Sequence, residues 1–246
     1  MSSSIFKIGA AVCGCVWGAS VCAQAAYSLQ GDVGGAVYRT SAIVKTSDSS
    51  NTVLPYVYAD YGPFYARINT LGFKVRPLGA GDFELATRIT LEGYKSTQVG
   101  IEDRAHPLPI GIGTFQKTRY GGFFIYDFHD ASSGGNLFDA SYVAKFRVGL
   151  VTVYPQIGVE RRSAKYVQHL YGVTATENAA TQIGAYAPSS SVSPNAGVTL
   201  QYPLSARTNL TYQVRKKWLD ASIADSPLVN AKSQTTSFLA ITRSFD

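Results

Sequence analysis

Three histidines could carry acid–base chemistry in this sequence of 246 residues: His106, His129 and His169. His129 stands nearest to a hydrolase-like set, because Asp127 and Asp130 flank it and Ser132 follows. A Ser-His-Asp triad needs all three groups to converge on one side of the chain. Adjacent residues of an extended chain point to opposite faces, so Asp127 shares the side of His129 and Asp130 does not. We therefore predict no catalytic residues around His129.

The other two histidines have structural interpretations. His106 precedes Pro107 in a proline-flanked connection, where a solvated loop side chain is expected. His169 lies beside Tyr171 in a segment that we expect to pack within a loop. The sequence therefore predicts a protein that is not an enzyme.

Metal and cofactor sites are not predicted either. The acidic pair Glu102-Asp103 lacks the spacing of a calcium loop, and three histidines are too few for a zinc site. Gly79-Ala80-Gly81 and Gly111-Ile112-Gly113 lack the strand, helix and acidic partner of a nucleotide fold, so we interpret them as turn and strand glycines. All cysteines fall in the first 22 residues: Cys13, Cys15 and Cys22. The rest of the chain has no cysteine chemistry.

The N-terminal segment has the pattern of a secretory signal. Lys7 supplies a positive charge, Ile8–Val21 is uncharged and mostly apolar, and Ala23-Gln24-Ala25 is an A-x-A cleavage site. The alternative, a membrane anchor, is disfavoured because this stretch is shorter than the roughly 20 residues that span a bilayer. We expect a signal peptide over residues 1–25 and a single domain over residues 26–246.

The composition suits a membrane barrel. Hydrophobic residues make up 46% of the chain and charged residues 15%, against roughly 25% charged in soluble domains. After Ala25 no run of 18 apolar residues exists, so no transmembrane helix is predicted. Three segments instead alternate apolar and polar residues with a period of two: 82–94, 138–148 and 207–215. Each is about as long as the 9–11 residues with which a tilted strand crosses a bilayer.

A soluble β-sandwich would show the same alternation with its apolar face inward. Its strands are shorter, however, at about 5–6 residues. Aromatic residues also crowd the predicted strand ends, where a membrane-interface girdle needs them: Tyr56, Tyr58, Tyr61, Tyr120, Phe123, Phe124 and Tyr202. The polar faces carry both signs of charge, at Glu84, Arg88, Glu92, Lys145, Arg147 and Arg215. We therefore predict an all-β, transmembrane, antiparallel up-and-down barrel whose narrow lumen salt bridges fill.

The alternating segments number ten: about 29–39, 52–60, 63–75, 82–94, 113–128, 136–149, 152–162, 193–203, 206–217 and 235–245. Short links would then face the periplasm, and the long connections 163–192 and 218–234 would lie outside the cell. The connection 95–112 is too long for the periplasmic side, so a hidden hairpin there, giving twelve strands, is the second prediction. The last strand places Leu239, Ile241 and Phe245 on one face, like the C-terminal signal of outer-membrane barrels, although Arg243 interrupts it and Asp246 follows.

Two basic clusters need an interpretation after export. Arg215-Lys216-Lys217-Trp218 and Glu160-Arg161-Arg162 resemble nucleic-acid patches in isolation. In an exported barrel, basic side chains beside a tryptophan anchor the protein at the membrane interface. We expect contacts with outer-membrane lipid and lipopolysaccharide phosphates and no nucleic-acid partner.

Several segments in order resemble the MipA/OmpV family of outer-membrane proteins. They are Gly34–Tyr38, Leu54–Tyr61 with Phe64 and Leu71-Gly72, His169–Val173 with Glu177–Ala179, Val198–Leu204 and Ala224–Val229. In the third segment His169 and Leu170 stand where the family usually has tyrosines.

The resemblance implies an outer-membrane barrel that scaffolds peptidoglycan remodelling by holding a murein lytic transglycosylase together with a murein synthase. Other members are associated with osmotic adaptation and adhesion. A narrow channel for small solutes is the alternative function, and an acyl-modifying enzyme is a more distant one.

Overall fold

The computed structural model describes residues 27–245 except 46 and 48. The predicted signal peptide, the three cysteines and Asp246 lie outside the described residues. The strands are β1 (Leu29–Thr40), β2 (Ser50–Tyr61), β3 (Phe64–Arg67), β4 (Thr70–Leu78), β5 (Gly81–Arg88), β6 (Ile110–Thr118), β7 (Gly121–Asp130), β8 (Gly135–Ala144), β9 (Phe146–Val148), β10 (Val151–Arg162), β11 (Ser191–Pro203), β12 (Thr208–Trp218) and β13 (Ser233–Phe245). The helices are α1 (Ala164–Tyr171), α2 (Ala175–Thr181) and α3 (Ala221–Ala224).

Consecutive strands pair antiparallel, and the sheet closes on itself. β1 pairs with β13, and β10 pairs with β8, β9 and β11. β8 and β9 pair with β10 in the same register, with a break at Ala144 and Lys145, so together they act as one barrel strand. The fold is thus a closed antiparallel barrel of twelve strands. The first count of ten strands was wrong, and the second prediction of twelve is confirmed.

The two additional strands do not come from the connection 95–112. That segment forms only a bridge between Tyr94 and Arg104 before β6 begins. Instead, the predicted strand 63–75 divides into β3 and β4 at Ile68, and the predicted strand 113–128 divides into β6 and β7 at Arg119-Tyr120. Neither turn contains glycine or proline, so the apolar alternation continues through both turns and hides them.

The two ends of the barrel differ. We call one the turn end, where the connections are short: 62–63, 79–80, 119–120, 149–150 and 204–207. The other is the loop end, whose connections are mostly long: 41–49, 68–69, 89–109, 131–134, 163–190 and 219–232. Dividing 63–75 into two strands moves the long 89–109 connection to the loop end. This removes the conflict that the ten-strand count produced.

The predicted alternation of inward and outward side chains is confirmed. Along β5, Glu84 is buried in the lumen while Leu85 is 49% exposed on the outer face. Along β12, Thr211 is buried and Tyr212 faces outward. In β13, Leu239 is exposed on the outer face. Outward apolar side chains therefore supply the lipid-facing band of a transmembrane barrel.

The aromatic girdle is confirmed in part. The side chains exposed on the outer face are Tyr61, Tyr120, Phe123 and Tyr202. Three others point inward and are corrections to the prediction: Tyr56, Tyr58 and Phe124. Their strand parity decides this, because Tyr56 and Tyr58 share the lumenal side of β2. Tyr56 packs with Phe238 inside the barrel at a ring distance of 5.8 Å.

One side of the wall is low, because β3 has only four residues. The Val57 carbonyl accepts a hydrogen bond of 2.8 Å from the N–H of Ile68, where the β3–β4 hairpin ends. Alternate residues of a strand direct their backbone groups to the same side, so Val53 and Pro55 face the space above that hairpin. Within the described residues no strand pairs with this edge of β2. Pro55 suits the position because it has no N–H to leave unpaired.

Candidate functional site: the barrel interior and its two ends

An ion pair inside the lumen joins the short strand β3 to β5. The two terminal nitrogens of Arg67 donate to the two carboxylate oxygens of Glu84, each at 2.9 Å. The Tyr126 hydroxyl donates to Glu84 at 2.7 Å and accepts from Arg67 at 2.8 Å. The guanidinium also lies 3.9 Å from the centre of the Tyr65 ring. Sequence reasoning identified Glu84 as lumenal but missed Arg67. Only the order and register of the strands show that Arg67 is the partner of Glu84.

A second ionic network lies nearer the loop end. Arg162 forms an ion pair with Glu160 at 2.7 Å, and Lys217 contacts both Glu160 at 3.1 Å and Glu92 at 3.3 Å. Arg162 also pairs with Glu92. With two carboxylates and two cations the network is neutral, which offsets the cost of removing these charges from water.

The predicted salt-bridged lumen is therefore confirmed for Glu84, for Glu92 and for Arg88, which pairs with Asp139. In the described part of the chain Lys145, Arg147 and Arg215 form no ion pair, and Lys145 and Arg147 are exposed. Three of the six predicted residues thus form ion pairs in the lumen, and Arg215 shares the lumenal face of Lys217 without an ion pair.

Apolar side chains from several loops close the loop end. Tyr166, Val167 and Leu170 of α1 are fully buried. They belong to one cluster with lumenal strand residues such as Phe128 and Leu137, so the loops enter the barrel. The loop residues of this cluster, which we call the loop-end cap, are Ile43, Val44, Ile101, Tyr166, Val167, Leu170, Tyr171, Val173, Ile223, Leu228 and Val229.

Buried polar contacts fix the cap. Glu177 of α2 accepts hydrogen bonds from the backbone N–H groups of Thr174 at 2.8 Å and Glu102 at 3.0 Å, and Arg104 donates to it at 2.7 Å. Burial alone would raise the pKa of Glu177, but these hydrogen bonds and the Arg104 charge outweigh it and lower the pKa. Glu177 thus joins the 89–109 connection to α2 as an ionised carboxylate.

The turn end contains a polar cavity of about 270 Å³ inside the barrel mouth. Its lining comes from β2 to β6 and from the β4–β5 turn: Tyr58, Asp60, Arg67, Lys74, Gly79, Ala80, Gly81, Asp82, Phe115 and Lys117. Lys74 pairs with Asp60 on its rim. Gln116 supports the turn by accepting from the N–H of Ala80 at 2.9 Å.

His129 and its two neighbouring aspartates divide between the two faces of the wall. His129 and Asp127 are exposed on the outer face, and the Nδ1 of His129 lies 2.7 Å from the side-chain oxygen of Asn136. Ser132 instead donates to Asp130, at 2.6 Å. The predicted separation of Asp130 from His129 is confirmed.

The remaining two histidines make loop contacts. His106 accepts from the N–H of Gly93 at 2.9 Å, and His169 contacts the carbonyl of Ala105 at 3.2 Å. Among the described residues no group of three or more metal-binding side chains assembles. No helix of the described chain is both long and apolar enough to span a membrane.

The basic clusters divide between the two faces of the wall. Lys216 lies outward beside Trp218, with its ammonium 5.8 Å from the ring, and Arg161 is also exposed. Lys217 and Arg162 point into the lumen and belong to the buried network. Only alternate members of each cluster are therefore available at the membrane surface.

Sequence reasoning missed the cap, although a signal for it was present. Tyr166, Val167, Leu170 and Tyr171 recur at helical spacing, which indicates an amphipathic helix within the long connection 163–192. The turn-end cavity left no such signal, because the β5–β6 register brings Asp82 and Phe115 together from distant parts of the chain.

Comparison with known proteins gives a family match along the barrel. A family model described as "MltA-interacting protein MipA" matches residues 33–245. The "Putative outer membrane protein YiaT" of Escherichia coli K12 is 22% identical over 212 residues, covering 82% of this chain and 85% of that protein. The "MltA-interacting protein" of the same organism is 26% identical over 132 residues, 53% of each chain.

Solved structures resemble the chain distantly. The outer membrane channel DcaP of Acinetobacter baumannii aligns with a TM-score of 0.39 and 7% identity, covering 89% of this chain and 97% of that one. The anion-selective porin from Comamonas acidovorans aligns with a TM-score of 0.33 and 10% identity, covering 89% and 99%.

Proposed function

Because the chain belongs to the MltA-interacting protein MipA family and forms an outer-membrane barrel, we propose that it is a non-enzymatic scaffold for peptidoglycan remodelling. Its partners in this proposal are a murein lytic transglycosylase and a murein synthase. The observation that carries the proposal is the closed interior. The loop-end cap and the buried ion pairs close the lumen beyond the turn-end cavity, which leaves the surface of the molecule as its means of action.

The turn end is the surface that the scaffold offers to these partners. Outer-membrane barrels place short turns in the periplasm, where murein and its enzymes lie, and long loops outside the cell. Five short turns held by regular strand pairing form a rigid rim at the turn end, and the 79–80 turn also lines the cavity. A rigid rim favours binding because little conformational entropy is lost on association.

Site-specific photo-crosslinking in intact envelopes tests the scaffold. A photoreactive residue replaces Tyr120, in the β6–β7 turn, and a matched control carries it at Ser132, at the loop end. We expect the turn-end probe to capture a murein transglycosylase or synthase and the control to capture neither. Repeated absence of both enzymes from the turn-end adducts contradicts the proposal.

A narrow channel is the competing function. Twelve strands enclose more space than the eight that side chains just fill, yet here charged side chains and the cap occupy the interior. Purified protein in planar lipid bilayers is therefore expected to show no unitary conductance. Well-resolved current steps would establish the channel instead.

The membrane partners in this proposal are outer-membrane lipid and lipopolysaccharide. Support comes from Lys216, Trp218 and Arg161, which lie on the outer face near the loop end. A lysine or arginine at this height reaches the phosphates of the outer leaflet, while the tryptophan ring stays at the interface. Replacement of Lys216 and Arg161 by Gln is expected to reduce co-purified lipopolysaccharide, measured by phosphate analysis, with Lys145→Gln near the turn end as the control.

A further inference from the structure

The turn-end cavity has a rigid and electrically neutral floor. Arg67 and Glu84 form a bidentate pair there, and Tyr126 bonds to both. The side chains of Arg67 and Glu84 are only 8% and 1% exposed, so these two charges pair with each other and are not available to a ligand. On the rim, Lys74 is likewise paired with Asp60.

Two lining charges have no partner of this kind. Neither Asp82 nor Lys117 makes a side-chain hydrogen bond or an ion pair with any described residue. Both belong to the lumenal side of the wall, because Asp82 shares the face of Glu84 and Lys117 shares that of Phe115. The cavity therefore holds one available anion and one available cation.

The register sets their separation. Asp82 lies directly opposite Phe115 across the β5–β6 pair, and Lys117 follows two residues later towards the turn end. Diagonal neighbours of this kind lie about 7–8 Å apart, with their Cβ atoms somewhat closer. Two opposite charges at that spacing match a molecule that carries a carboxylate at one end and an ammonium at the other.

We propose that the turn-end cavity binds a small zwitterion of the amino-acid or dipeptide class. The ligand carboxylate accepts hydrogen bonds from Lys117 Nζ, and its ammonium donates to the carboxylate of Asp82. Tyr58 and Phe115 supply aromatic walls for the intervening atoms. This site goes beyond the proposed scaffold and does not depend on it.

The dimensions agree with a ligand of this class. A volume of about 270 Å³ equals roughly nine waters at about 30 Å³ each, which is room for an amino acid or a dipeptide with small side chains. Because Arg67, Glu84 and Tyr126 hold the floor in place, the cavity is formed before the ligand arrives. Preorganisation of this kind reduces the entropy lost on binding.

Isothermal titration of the folded barrel in detergent with alanyl-alanine tests the site. We expect saturable binding that weakens at least tenfold in Lys117→Gln and in Asp82→Asn. Lys165→Gln, which changes an exposed lysine at the loop end, is the matched control and should bind like the parent. Heat-modifiable migration on gels verifies that each variant keeps its barrel.

Dipeptides with one end blocked show which end of the ligand Asp82 and Lys117 each bind. N-acetyl-alanyl-alanine should lose the contribution of Asp82, so Asp82→Asn should not weaken its binding further. Alanyl-alanine amide has no carboxylate for Lys117 to bind, so Lys117→Gln should not weaken its binding further. Absence of binding at millimolar alanyl-alanine, or equal affinity in the parent and both variants, overturns the proposal. Either result leaves the crosslinking test of the scaffold unaffected.

Discussion

At the residue scale, the two ion pairs at the turn-end cavity lie in different environments. Arg67 and Glu84 are buried in the lumen, whereas Lys74 and Asp60 are 24% and 40% exposed near the mouth. A buried charge that loses its partner pays the full cost of desolvation, but an exposed one regains water. Loss of the buried pair should therefore lower the free energy of unfolding much more than loss of the exposed pair.

Arg67→Ala is expected to lower the free energy of unfolding by about 3–5 kcal/mol, because Glu84 is left buried and unpaired. Lys74→Ala, the control, should cost less than about 1 kcal/mol. Urea unfolding of the barrel in lipid vesicles measures both. Equal costs for the two variants would show that water reaches Glu84.

Glu177 gives the cap a dependence on pH. Its pKa is lower in the folded cap than in the unfolded chain, so its stabilisation is complete above the unfolded value of about 4.3. It is lost as the pH falls from there through the folded pKa. Amide exchange of α2, corrected for its intrinsic pH dependence, should accelerate below about pH 4.

Glu177→Gln is the matched variant, since it keeps the shape but cannot ionise. We expect faster exchange in α2 at neutral pH and no further acceleration in acid. A parent protein whose α2 protection is constant from pH 7 to pH 3 would show that Glu177 does not stabilise the cap through its charge.

Single residues could be assigned to the lumen or the outer face from the sequence, but their partners could not. Period two places Glu84 and Arg88 inside the barrel because strand parity is local information. Glu92 was predicted in the same way but lies beyond the end of β5, in the 89–109 connection, and joins the buried network there. The partners of these three residues, Arg67, Asp139 and Arg162, stand 17, 51 and 70 residues away, and only the register joins them.

At the element scale, the turns decide the architecture. Gly62, Gly79 and Gly149 have φ values of 56°, 60° and 60°, the left-handed region that glycine adopts without strain. Ile68 takes a φ of 59° in the β3–β4 turn despite its branched side chain. Ile68 packs against the apolar cluster that contains Tyr56 and Phe238, which supports that conformation.

Gly149→Ala is expected to cost about 1 kcal/mol of unfolding free energy, since a Cβ there meets open space and only the left-handed backbone resists it. Gly149→Asn should cost less, because asparagine tolerates this conformation. Gly35→Ala, also in open space but without a left-handed φ, is the control and should be close to neutral. A neutral Gly149→Ala variant would mean that the turn can change its conformation.

The same turns explain why the strand count was ambiguous from sequence. Turns at Gly62, Gly79 and Gly149 contain glycine, whereas Ile68-Asn69 and Arg119-Tyr120 contain neither glycine nor proline. Their conformation depends on strand pairing on both sides, which the local sequence does not encode. Helical spacing in the sequence indicates α1, but the loops on which its apolar face packs are distant in the chain, so the cap as a whole could not be predicted.

At the scale of the whole molecule, the cap and the ionic networks give a membrane barrel an interior like that of a soluble protein. Tyr166, Val167 and Leu170 bury apolar surface against strand residues that face the lumen. The barrel therefore has two apolar regions, one towards lipid and one inside the loop end.

Removal of the cap helices should open the lumen. A variant in which a short glycine-serine linker replaces residues 164–189 loses α1 and α2, and we expect it to conduct ions in planar bilayers while the parent stays silent. The open lumen of the variant exposes charged walls to water. Silence of both proteins would show that the ionic networks alone seal the barrel.

The low wall at β3 has a mechanical consequence for the membrane. A strand of four residues is about 13 Å long, against an apolar band roughly 25 Å tall in outer-membrane barrels. Val53, at the open edge, continues a row of outward apolar side chains formed by Tyr212, Leu239 and Val37, so this gap lies within the band. A bilayer meets such a hydrophobic mismatch by thinning locally. The thinning is confined to one sector, because β2 and β1 keep their full length beside it. The barrel therefore deforms the surrounding membrane on one side only. This one-sided thinning favours neighbouring proteins on that flank, even without direct contact between the proteins.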